Sequence, residues 1–241
     1  SRRQRQMCIR DSMYTVGMPV AGELFFMYAN MLIAVPTGVK VFNWVTTMWR
    51  GAMTFETPML FCIGFLVLFT IGGFTGLMLS IAPSDFQYHD SYFVVAHFHY
   101  VMVAGAVFSM TAAVYYRLPK WCGKMYNEKM GKTHFWISFI GFNLTFFPQH
   151  FVGLAGMPRR IPDCALQFTD FNMMSSVGAF IYGASQILFL YNVIATIVSG
   201  KPTSEEKTWE GAEGLEWTVA TPAPYHTFET PPKIDPTHAH S

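Results

Sequence analysis

Two histidines, His97 and His99, stand two residues apart in HDSYFVVAHFHYVM, and no charged side chain lies between Tyr92 and Met102. Imidazole is the commonest side-chain metal ligand, and iron is one of its partners. Successive residues of a helix are about 100° apart, so positions i and i+2 point about 200° apart. From a regular helix the two rings therefore cannot close on one metal. They serve two sites on opposite faces of the same rod. Ionisable groups deep in an apolar helix are rare and usually functional. The natural reading is two large cofactors flanking the helix, each with its iron on one histidine. The plainer alternative is a pair of imidazoles satisfied by neighbouring hydroxyls or carbonyls.

Three further pairs accompany them. His89 and Asp90 sit at the start of the same stretch. An adjacent imidazole and carboxylate suit a hard divalent cation with water ligands, such as Mg²⁺ or Mn²⁺. Asp90 is equally suited to cap the helix, and these two residues alone favour the cap. Arg159 and Arg160 follow Met157-Pro158. Guanidinium forks fit carboxylates, including haem propionates, and they also fit lipid headgroups. Lys40 lies in MLIAVPTGVKVFNW, about 13 Å along a helix from Trp49. Thr37 shares its face at i−3. The two can form a polar proton path, or Lys40 can simply snorkel to the interface. Pro36 removes a backbone donor there and should kink the helix.

What positions these residues follows from composition. The chain has 241 residues, of which 51% are hydrophobic, 17% aromatic and 13% charged. Soluble domains carry about 25% charged residues, so lipid is the expected solvent. A net charge of +1 gives no electrostatic basis for nucleic acid as a partner. The four cysteines, Cys8, Cys62, Cys122 and Cys164, form no C-x-x-C pair. Their spacing suggests neither zinc nor a disulfide framework, and Cys62 is expected to pack as a small hydrophobe. A span needs roughly 20 mostly apolar residues, and five stretches qualify: 21–49, 57–81, 90–118, 132–154 and 171–200. The fold class is therefore all-α, a polytopic bundle of five membrane-spanning helices. Gly72, Gly73, Gly76, Gly105 and Gly183 would let those helices approach closely.

The loop after the third span carries Arg117, Lys120, Lys124, Lys129 and Lys132 against one acid, Glu128. Basic loops face the cytoplasm or matrix. IAPSDFQYHD, with no Lys or Arg, then faces outward together with Arg159 and Arg160, and the polar tail 201–241 faces inward. Residues 1–12 are basic and unlike the body 13–200, so they are set aside from the fold as an artefact or a transit remnant.

Together these residues resemble subunit I of the haem–copper oxidases, nearest the branch that oxidises cytochrome c. The matching segments are TVGM, MLIAVPTGVKVFNW, FETPMLFCIGFLVLFTIGGFTG, HDSYFVVAHFHYVM, FFPQHFVGLAGMPRRIPD and LEWTVATPAPYHTFETPP. They fall in the family's order and spacing, and the five spans look like the last five of its twelve. The resemblance implies that His97 is the axial ligand of the high-spin haem and His99 one axial ligand of the low-spin haem. It implies that Arg159 and Arg160 meet haem propionates, that His89 and Asp90 bind Mg²⁺, and that Lys40 and Thr37 belong to a proton path. Two haems of the a type, copper and Mg²⁺ are the implied cofactors. The implied partners are the N-terminal part of subunit I, subunit II with its electron-entry copper, subunit III, cytochrome c and the lipid bilayer. The implied setting is the mitochondrial inner membrane, or a bacterial plasma membrane.

One departure stands out. Where the family has a His–His pair just before the segment Met13-Tyr14-Thr15-Val16, this chain has Asp11-Ser12. The other copper ligands and the second ligand of the low-spin haem are expected upstream, in a longer chain or a separate one. The alternative is a non-catalytic half that binds haem or scaffolds assembly. A proton-relaying transporter without haem is disfavoured, because its groups would align along one path rather than face apart.

Overall fold

The structure is a computed structural model and describes residues 14–203, 209, 212, 214–228 and 230–232. The readings of Cys8 and of the 1–12 segment with Asp11-Ser12 lie outside the described residues. Five long helical rods dominate the described residues: α1 (Val20–Met48), α2 (Thr57–Ser80), the pair α4 (Tyr92–Met102) and α5 (Ser109–Cys122), α6 (Glu128–Leu154) and α7 (Thr169–Ser199). Helix α3 (Ala82–Tyr88) is a short connector that the sequence reading did not foresee, and α8 (Leu215–Thr218) lies in the tail. Four rods are long and apolar enough to cross a membrane: Val20–Met48, Thr57–Ser80, Tyr92–Cys122 and Leu166–Ser199. The fifth, α6, has 27 residues and buries His134, Gln149 and His150 along its length.

Helix α2 buries Thr57, Phe61, Gly64, Leu68 and Gly72. These recur every three or four residues, which is one face of a 3.6-residue helix. Pro58 is tolerated in its first turn, where no intrahelical donor is needed. The backbone N–H of Thr57 donates instead to Glu128 Oε1 of α6 at 2.7 Å. The third rod buries Phe93, Ala96, Tyr100, Ala104, Phe108, Ala112 and Tyr115 against α2 and α6. Its middle, Val103–Phe108, is a π-helical stretch. The rod stops at Gly123, whose φ of 68° is the left-handed value that ends helices.

Helices α6 and α7 run antiparallel with backbones nearly touching. A methyl carbon on Gly178 would stand 2.5 Å from the Thr145 nitrogen, and one on Gly141 would stand 2.7 Å from the Tyr182 nitrogen. Ser138 and Ser185 hydrogen-bond at 2.8 Å across that seam, and Ser175 donates to the Thr145 carbonyl at 2.8 Å. Small residues with polar glue are how helices associate where lipid removes the hydrophobic drive. The expected glycines are only partly the ones used. Gly72 and Gly76 sit against Tyr100 and His97, whereas a side chain on Gly73, Gly105 or Gly183 would meet open space. Cys62 is likewise exposed on α2 rather than packed. Helix α1 buries none of its residues.

The tail folds onto the end of the bundle that carries the basic loop. Lys124 and Met125 pair antiparallel with Lys201 and Pro202. Buried Lys120 donates to the Val219 carbonyl and to Thr221 Oγ1. Trp209 Nε1 donates to the Tyr116 carbonyl at 2.8 Å, and its ring stacks on Tyr116. At the other end, Gly153 lies so close to the Phe93 backbone that no side chain fits. Gly153→Ala is therefore expected to cost about 1–3 kcal/mol through forced separation of α4 and α6. The check is thermal unfolding of the detergent-solubilised protein, with a lowered midpoint as the outcome.

Candidate functional site

His97 and His99 project from α4 to different neighbours. His97 Nδ1 lies 3.0 Å from the Gly72 carbonyl and 3.1 Å from Thr75 Oγ1, both on α2. A carbonyl only accepts, so Nδ1 carries the proton and Nε2 keeps its lone pair. The ring is seated on Gly76, where any Cβ would stand 2.8 Å from its Cε1. His99 Nδ1 donates to the Val95 carbonyl at 2.7 Å. Its ring stacks on Phe146 of α6, with centroids 4.1 Å apart and planes 16° apart. In both rings the backbone fixes the tautomer that leaves Nε2 free to bind metal, a typical outer-shell arrangement for a ligating histidine. Neither Nε2 has a hydrogen-bond partner among the described residues, and both rings are half-buried. The donor set thus fits two irons, one on each side of α4.

The His89–Asp90 and Arg159–Arg160 pairs converge at one corner. Asp90 is not the helix cap. Its φ is 52°, a left-handed value, and Ser91 caps α4 instead, accepting from the Phe93 N–H. The helix consequently starts at Tyr92 rather than Asp90. This frees the Asp90 carboxylate, which lies 3.0 Å from His89 Nε2 through Oδ2 and 2.6 Å from Arg159 Nε through Oδ1. The backbones join as well, with Arg159 N–H on the Asp90 carbonyl at 2.8 Å and Tyr92 N–H on the Met157 carbonyl at 3.0 Å. Arg160 also has a positive φ, 62°. Such conformations cluster where surrounding structure over-determines a functional loop.

Burial alone would raise the Asp90 carboxyl, but the Arg159 hydrogen bond and the charges of His89, Arg159 and Arg160 hold it below the usual carboxylate range. Buried Asp85, on α3, is pushed the other way by burial; His89 partly opposes this and Asp90 adds to it. Among the described residues no three His, Cys, Asp or Glu side chains gather round one point. A cation on His89 and Asp90 would draw its other ligands from water or a partner chain.

Lys40 and Thr37 both lie on α1, and Lys40 is exposed. The Thr37 hydroxyl donates to its own helix, to the Ile33 carbonyl at 3.0 Å. Several buried polar groups escaped the sequence reading. His150 packs against Phe93 and Tyr100, with Nε2 unpartnered. His134 is bonded to the Tyr115 hydroxyl at 3.1 Å. Tyr100 donates to Asn143 Oδ1 at 2.8 Å. FFPQH was legible as a motif, but only the α4–α6 packing shows what its histidine touches.

The family described as cytochrome C and quinol oxidase polypeptide I matches residues 12–181. The chain belongs to that family. It is 51% identical over 222 residues to cytochrome c oxidase subunit 1 of Cereibacter sphaeroides, covering 92% of this chain and 39% of that protein. It is 46% identical over 230 residues to cytochrome c oxidase subunit 1 of Bacillus sp. (strain PS3), covering 92% and 36%. A probable cytochrome c oxidase subunit 1-alpha of Streptomyces avermitilis is 50% identical over 212 residues, covering 87% and 37%. The chain thus spans under two fifths of the length of these relatives. A solved haem–copper terminal oxidase dimer shares the fold, with a TM-score of 0.69 at 18% identity, over 80% of this chain and 39% of that one. This member of the oxidase family carries four helices long enough and apolar enough to cross a membrane.

Because Asp90 titrates below the ordinary value of about 3.9, the corner is held at and above that pH and released as pH falls through the lowered value. Hydrogen-exchange protection of the Tyr92 and Arg159 amides should stay level from neutral pH to about pH 5 and drop below about pH 4. Asp90→Asn should lower that protection from neutral pH to about pH 5 and abolish the drop at lower pH.

Proposed function

We propose that this chain is a C-terminal portion of the catalytic subunit of a cytochrome c oxidase, reducing O₂ to water with electrons from cytochrome c. The observation that carries the proposal is the pair of metal-ready imidazoles facing apart on one helix. His99, its ring stacked on Phe146, would hold the low-spin haem, and His97, its ring seated on Gly76, would hold the high-spin haem. Bound haem, with copper ligated outside this chain, supplies the electron-transfer and O₂ chemistry. The chain's own part is to fix both imidazoles, to set the charge around the propionates and to deliver protons.

Arg160 and Arg159 supply that positive charge at the outer corner, with Arg159 also anchoring Asp90. His89 and Asp90, with Nε2 and Oδ2 3.0 Å apart, are the side chains that would hold Mg²⁺, a hard cation suited to a carboxylate and water. Among the described residues Lys40 is exposed and Thr37 only partly covered, so a proton path along α1 would be completed by other helices. Helix α6 crosses the bilayer with the other four rods, its polar side chains turned inward. Coupling to proton translocation, haems of the a type, subunits II and III, and a mitochondrial or bacterial respiratory membrane belong to the same reading.

The test uses the intact oxidase. His99→Leu is expected to abolish the low-spin haem signal in ferric electron paramagnetic resonance while the high-spin haem stays bound. His97→Leu is expected to do the reverse. Retention of both haems in both variants would overturn the assignment. When the oxidase is produced with Mn²⁺, His89→Ala and Asp90→Asn should each lose the bound Mn²⁺ resonance and keep both haem signals. Unchanged Mn²⁺ would remove these two residues from the cation site.

A further inference from the structure

Position along α4 does not by itself settle how the His99 ring lies. Its Nδ1 is tied only to its own helix, at Val95. The ring also lies against Phe98 of its own helix, with centroids 4.5 Å apart, and the constraint from another helix is the stack on Phe146 of α6. The plane of the ring therefore depends on how far α4 is rotated and slid against α6.

One residue on, Tyr100 is fully buried, and its hydroxyl donates to Asn143 Oδ1 of α6 at 2.8 Å. Asn143 cannot present its other end, because its Nδ2 donates to the Phe139 carbonyl at 2.8 Å. Among the described residues this is the one side-chain hydrogen bond between α4 and α6. Asn143 lies three residues before Phe146, on the same helix face. The Tyr100 ring also packs against Phe142 at 5.0 Å and His150 at 5.4 Å between centroids.

The need for such a bond comes from the backbone beyond it. The π-helical stretch begins at Val103, three residues after Tyr100. There the regular i→i−4 ladder is interrupted, which makes the rod easier to bend or twist. Without a fixed point, the half carrying both histidines could turn relative to the half beyond.

We infer that Tyr100 and Asn143 are positioning residues for His99, their hydrogen bond setting the rotation of α4 on α6 and hence the plane of the His99 imidazole. The inference rests on His99 as a haem ligand. An axial imidazole's orientation shapes the magnetic anisotropy of a low-spin ferric haem, which gives a readout that packing alone would not move.

The experiment takes the intact oxidase with Tyr100→Phe, Asn143→Leu, the two combined, and Asn143→Asp. Tyr100→Phe and Asn143→Leu are expected to change the low-spin resonance in the same direction. The double variant should go no further than the larger single change, since both substitutions remove one bond. Asn143→Asp keeps an acceptor oxygen in place and should restore most of the parent signal. The high-spin haem on His97 should be unmoved throughout. If Asn143→Leu does not assemble, Tyr100→Phe decides, because it removes one oxygen and leaves the ring packing intact. An unchanged low-spin signal with a lowered melting temperature would reduce the pair to ordinary packing and overturn the inference. His99→Leu separates the two failures. A low-spin signal surviving there sinks the ligand assignment itself; a signal lost there but unmoved in Tyr100→Phe and Asn143→Leu sinks only the positioning role.

Discussion

A single helix has to hand imidazoles to two sides at once, and the surrounding packing answers to that demand. Under the proposed ligation, imidazoles at i and i+2 must each keep Nε2 open on its own side of α4 while the rest of each ring packs on a neighbouring helix. Helix α2 holds α4 by small residues, Gly72 and Gly76, which let the His97 ring lie against backbone. Helix α6 holds it through Phe93, Tyr100 and the close approach at Gly153. The buried stripe Phe93, Ala96, Tyr100, Ala104 and Phe108 runs along the side that is left.

The corner formed by His89, Asp90 and Arg159 is held by charge rather than by packing. One carboxylate, Asp90, is shared between an imidazole and a guanidinium, and the two loop backbones pair beside it. Its left-handed backbone places the side chain outside the helix instead of over the first turn. Serine takes the cap, and the acid is free for other partners. The loop between α6 and α7 is thereby tied directly to the residues that begin the histidine helix.

Much of this was legible in the sequence. The rods fall within a few residues of the apolar stretches, because length and hydropathy decide spans with little help from tertiary context. The opposed histidines follow from helical geometry alone. What could not be read depends on neighbours. Asp90 looked like a cap because the pattern ended there, and only the turn conformation gives that role to Ser91. The glycines chosen from the apolar runs included Gly73 and Gly105, whereas the tightest approaches are at Gly153 and Gly178, whose importance lies in the opposing backbone. His134 and His150 gave no signal of their own, since a buried histidine on a mixed helix reads like any polar position. Cys62 and α1 show the complement: an apolar position that ends exposed looks in sequence like one that ends buried.

The grip of Lys120 on the tail bears on the order in which the molecule is completed. Its partners, Val219 and Thr221, lie 99 and 101 residues later in the chain. During synthesis the ammonium group reaches the edge of the bilayer long before those acceptors exist. Until the ribosome has made them, water must solvate the lysine, and the ends of α5 and α6 stay open to it. Closing that end is therefore a late event of biogenesis, and the tail acts as the last stitch in a seam begun four helices earlier.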